Sequence, residues 1–78
     1  MKPSSRSRKV NSIEATPSHS SPLVEVEIWD EIGGVTLQFL GRREISGLEV
    51  GSEMRAEGMV GENNGQLVIL NPSYEIVI

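Results

Sequence analysis

Val24, Val26 and Ile28 alternate with Glu25, Glu27 and Trp29, and Val35, Leu37 and Phe39 alternate with Thr36, Gln38 and Leu40. A period of two sends every second side chain to the same face, so each run is a strand with one apolar side. Residues 30–34 (Asp-Glu-Ile-Gly-Gly) form the turn that pairs the two runs as a hairpin. A chain of 78 residues holding half-apolar strands must bury their inner faces against one another, because it is too short for a second core.

The rest of the chain follows the same period. Residues 10–16 read as a weaker strand, with Ile13 and Ala15 on one side and Ser12 and Glu14 on the other. Two prolines and three serines make residues 17–22 a loop. Met54, Ala56, Gly58 and Val60 alternate with Arg55, Glu57 and Met59; residues 61–65 form a hairpin turn around Asn64-Gly65, and residues 66–70 resume as strand. Asn71-Pro72 interrupts the last stretch before residues 74–78 finish it in extended form. Gly47 and Gly51 leave space in residues 42–52 for only one or two helical turns around Ile45 and Leu48.

The expected fold is therefore all-β: a five-stranded Greek-key barrel of the OB type, with a short helix between strands three and four as its plug. Val24, Val26, Ile28, Val35, Leu37, Phe39, Ile45, Leu48, Ala56 and Ile69 are the expected core. The apolar end, Ile76-Val77-Ile78, either closes the barrel wall or pairs with another subunit.

Charge divides the chain unevenly. Lys2, Arg6, Arg8 and Lys9 make residues 1–9 a basic tail of charge +4 with nothing apolar to bury beyond Met1, expected to be disordered and to carry most of any salt-dependent nucleic-acid binding. Residues 10–78, the expected folded domain, set Arg42, Arg43 and Arg55 against all eleven acids and carry −8. With no cysteine there is no disulfide scaffold. No apolar run reaches the roughly 20 residues of a membrane helix, and the basic start leads into polar sequence, so a cytoplasmic location is expected.

Three blocks carry a family likeness: Phe39-Leu40-Gly41-Arg42-Arg43, then residues 45–51 (Ile-Ser-Gly-Leu-Glu-Val-Gly), then Asn71-Pro72-Ser73-Tyr74-Glu75. In this order they resemble the small single-domain OB-fold proteins common in actinobacteria, described as nucleic-acid-binding and of the same broad class as tRNA-anticodon-binding OB domains. The likeness spans roughly residues 23–76. It implies the OB fold and single-stranded nucleic acid, DNA or RNA, as ligand. That family often has an aromatic residue at the place of Leu70 and a basic one at the place of Ser73.

OB folds bind single strands across the outer face of strands two and three and the flanking loops. Here that face presents Glu25, Glu27 and Trp29 beside Thr36, Gln38 and Leu40. The candidate nucleic-acid-binding residues are Trp29 as a stacking ring, Thr36 and Gln38 as polar contacts, Arg42 and Arg43 as phosphate holders, and Asn71 with Tyr74 near the last loop. Glu25 and Glu27 would repel phosphate, and with the −8 body they favour the alternative, an acidic protein-interaction module docking on a basic partner. Nothing points to catalysis. His19 stands alone with no cysteine or second histidine, so neither a metal site nor a triad is expected, and Gly33-Gly34 has no Lys-Ser/Thr or following helix to make a phosphate loop. No cofactor is expected.

Overall fold

A computed structural model describes residues 7–16 and 21–77. The strands are β1 (Arg8–Thr16), β2 (Leu23–Trp29), β3 (Gly34–Leu40), β4 (Glu53–Glu57), β5 (Val60–Asn63), β6 (Gln66–Leu70) and β7 (Ser73–Val77). They form one sheet in the order β5-β6-β3-β2-β1-β4-β7. All neighbours are antiparallel except β3 and β6, which run parallel. The sheet curls into a half-barrel, consistent with the expected β-barrel. Its two end strands, β5 and β7, directly follow β4 and β6 in the chain.

Two expectations are corrected. The count is seven strands rather than five, because the two segments expected to close the barrel each break at a bend. Gly58-Met59 separates β4 from β5, and Asn71-Pro72 separates β6 from β7. The bends nest together: a Cβ on Gly58 would stand 2.6 Å from Ile69 Cγ2 and 3.6 Å from Pro72 Cα. Proline has no N–H for a ladder, so the pairing shifts from β4–β7 to β5–β6 at this place.

The expected helix is also absent; among the described residues there is no helix. Residues 42–52 instead fold through two successive turns, with Leu48 N–H donating to Ile45 O (3.2 Å) and Ser52 N–H to Glu49 O (3.0 Å). Gly47 and Gly51 occupy the third position of these turns at φ +80° and +93°, the left-handed region of a type II turn and incompatible with a helix. The plug survives without the helix: Ile45 is buried and Leu48 packs half-buried against the core.

Nine of the ten expected core residues are buried, Leu48 being the half-buried one, and Val10 and Met54 join them. Val10 enters through a bulge. Val10 faces Ile28 and Ser12 faces Glu27, so Asn11 is an extra residue on β1. Without it, Val10 and Ile13, three residues apart, would point to opposite faces. The strand begins at Arg8, so the last two residues of the expected tail belong to β1. Residues 1–6 of that tail, residues 17–20 of the expected loop with His19, and Ile78 lie outside the described residues. The C-terminal strand β7 pairs with β4, from Glu53–Val77 to Glu57–Ser73. No helix among the described residues is long and apolar enough to cross a membrane.

Candidate nucleic-acid interface

The outer face of β1, β2 and β3 follows from the registers. Across β2 and β3, Glu25 pairs with Gln38, Glu27 with Thr36 and Trp29 with Gly34. Across β1 and β2, Glu14 lies opposite Glu25, Ser12 opposite Glu27 and Lys9 opposite Trp29. Three carboxylates thus share the middle of this face, in a shallow groove lined by Ser12, Glu14, Glu25, Glu27, Thr36 and Gln66. Neutral amides steady two of them: Asn11 Nδ2 donates to Glu27 Oε1 (2.8 Å) and Gln38 Nε2 to Glu25 Oε2 (3.0 Å). Like charges directly opposite across strands destabilise a sheet, and Glu14 and Glu25 are such a pair.

Trp29 closes one end of the face. It is 49% exposed, and its ring lies along Gly34, where a Cβ would come within 3.6 Å of Cε3. Beyond it, Asp30 fixes the turn: its Oδ1 accepts from Ile32 N–H (2.8 Å) and Gly33 N–H (3.2 Å), and its N–H donates to Gly33 O (3.1 Å). Ile32 stands at the tip of this turn, 77% exposed. Arg8 Nε lies 3.4 Å from Asp30 Oδ2, so this cation is used within the fold.

The seven candidates do not converge. Trp29, Thr36 and Gln38 share the face, with Gln38 already engaged by Glu25. Arg42 and Arg43 follow β3 at the opposite end, past Leu40, which is itself about 20 Å along the strand from Gly34 beside Trp29 at roughly 3.3 Å per residue. Both are exposed, and neither forms an ion pair among the described residues. Asn71 and Tyr74 hold the fold together. Asn71, at φ +48°, accepts from Leu40 N–H through Oδ1 (2.9 Å) and donates its own N–H to Gln38 O (2.7 Å). Tyr74 packs edge-on against Phe39, with ring centroids 5.4 Å apart at 82°.

Glu14 is the site-lining residue that sequence reasoning missed, and Lys9, expected to act from the tail, stands in the sheet instead. Both belong to β1, and only the β1–β2 register sets them beside Trp29 and Glu25. The Ser12/Glu14 alternation was a legible sign that Glu14 faces outward. Among the described residues no group of three His, Cys, Asp or Glu side chains is placed to hold a metal ion. Comparison with family models, with characterised proteins and with solved structures finds no match.

Proposed function

We propose that this chain is a non-enzymatic OB-type module that takes single-stranded nucleic acid at its Trp29 corner. The OB reading is supported by the antiparallel run β1-β2-β3, the β1–β4 pairing and the parallel β3–β6 pairing, a Greek-key route, and by the sequence resemblance. The observation that carries the ligand assignment is the Lys9–Trp29 register. It puts a half-exposed ring beside a cation that forms no ion pair among the described residues, at the end of the strand from which the basic N-terminal residues lead. Base stacking needs no sequence readout, and an aromatic platform next to cations is its usual setting. The three carboxylates keep the strand off the middle of the face, so the site is short and the binding weak.

Trp29 is the only tryptophan, so its emission reports directly on the site. Titration with a short single-stranded oligonucleotide at low salt should quench it, and Trp29→Ala should weaken binding measured by anisotropy by about 1–3 kcal/mol. Absence of binding to both DNA and RNA at low salt overturns the reading.

One observation favours a second reading. Glu14, Glu25 and Glu27 form an acidic strip that suits an extended basic segment of another protein. In that case an arginine-rich peptide binds and the oligonucleotide does not, and Glu25→Gln with Glu27→Gln abolishes the peptide binding.

A further inference from the structure

The sheet has an open edge at β5. Among the described residues β5 pairs only with β6, from Val60–Ile69 to Asn63–Gln66 across the two-residue Asn64-Gly65 turn. In a hairpin of this kind the residues flanking the turn exchange both hydrogen bonds, and the exchange repeats every second residue. Asn63 and Gly61 therefore bond to β6, and the N–H and C=O groups of Val60 and Glu62 point away from it. Beside this edge runs an open apolar groove lined by Met59, Gly61, Val68 and Leu70, with Met59 89% exposed and Leu70 more than half exposed. Among the described residues Glu62 is the only charged one lining it, whereas the adjoining part of the outer face, over β1 and β2, holds three carboxylates.

We propose that a second copy of this chain pairs with this edge, β5 against β5, in antiparallel fashion. The ladder itself sets the register. Among the described residues of β5, Val60 and Glu62 are the ones whose backbone groups turn away from β6, and the register that uses all of these groups bonds Val60 to Glu62 of the partner copy and Glu62 to Val60 of the partner copy. The two-fold axis then passes between the two Gly61 residues, and the outer faces of both sheets stay on the same side. The register is self-complementary in charge: each Glu62 faces a valine, not the other carboxylate. Two bodies of strong negative charge repel each other over most of their surface, and this strip is where that repulsion is least. Met59 of each copy lies opposite Asn63 of the other, and the two Met59–Leu70 strips meet beside the axis. A strand of four residues with these side chains falls short of the about 800 Å² per partner of a durable complex, so the dimer is weak and concentration-dependent.

Sedimentation of the full chain without nucleic acid tests this independently of the ligand assignment. Between roughly 10 μM and roughly 1 mM the wild type should pass from monomer to dimer. Glu62→Pro removes the outward N–H without touching the β5–β6 ladder, a position where an edge strand accepts proline, and should weaken the dimer at least about tenfold. Met59→Glu changes an exposed side chain outside any strand, tests the apolar strip without disturbing the backbone, and should weaken it similarly. Thermal melts of both variants at low concentration should match the wild type. A wild type that stays monomeric throughout overturns the proposal and leaves another protein as the occupant. A dimer that survives in either folded variant overturns it as well.

Discussion

At the scale of single residues, the tightest constraint is Gly58. A Cβ there would stand 2.6 Å from Ile69 Cγ2, and Ile69 is itself buried between the strands, so it has nowhere to turn. Gly58→Ala should therefore destabilise the fold by about 1–3 kcal/mol, as other small-to-large changes in packed cores do. Urea denaturation followed by Trp29 fluorescence reads this directly; an unchanged midpoint would mean that the bend can open without cost. The sequence carries no mark of this role, since Gly58 falls on the apolar side of a regular alternation with Met54, Ala56 and Val60. Asn71 and Tyr74 illustrate the converse. Their residue types suit a ligand, but Asn71 ties the end of β3 to the end of β6 and Tyr74 packs on Phe39. Residue type alone does not separate a group that holds the chain from one that holds a ligand.

At the scale of elements, the alternation in β2 and β3 was sufficient to read both strands, their hairpin and their six buried residues, because each keeps one face inward throughout. The same reasoning missed Val10, because the Asn11 bulge resets the alternation within β1 and a one-residue insertion leaves no sign in a period count. It also mistook residues 42–52. Two glycines four residues apart fit a short helix or two turns equally well in sequence. The positive φ of Gly47 and Gly51 decides for turns, and these turns are locked to β1 through Gly51 N–H to Val10 O (2.9 Å) and Val10 N–H to Ser52 O (2.8 Å). Alanine at either position pays the left-handed penalty of about 1–2 kcal/mol. Gly47→Ala and Gly51→Ala should each lower stability by that amount. Gly33→Ala is the control, since Gly33 has open space around it and no positive φ, and it should melt like the wild type. Equal melting of all three would mean that the plug segment adapts freely.

At the scale of the whole molecule, the proposed nucleic-acid binding rests on a basic start on an acidic body. Affinity for a polyanion depends on salt through the cations that displace counterions, with a slope of about 0.7–0.9 per neutralised phosphate. Of the four basic residues in positions 1–9, Arg8 is paired with Asp30, which leaves Lys2, Arg6 and Lys9 as the cations that the proposed binding would draw on. The slope of log affinity against log salt should therefore have a magnitude of about 2–3 for the full chain, and removing residues 1–6 should reduce it by about 1.4–1.8. That truncation leaves β1 whole from Arg8, so a change in slope reports on charge and not on folding. The carboxylates act differently. Glu25→Gln with Glu27→Gln removes repulsion but adds no cation, so it should raise oligonucleotide affinity at every salt concentration while leaving the slope nearly unchanged. Anisotropy titrations of the three proteins over a salt series separate the two effects. A truncated chain that keeps the full slope would place the phosphate contacts on Arg42 and Arg43 instead, at the far end of the face, and the Trp29 corner would no longer be the site.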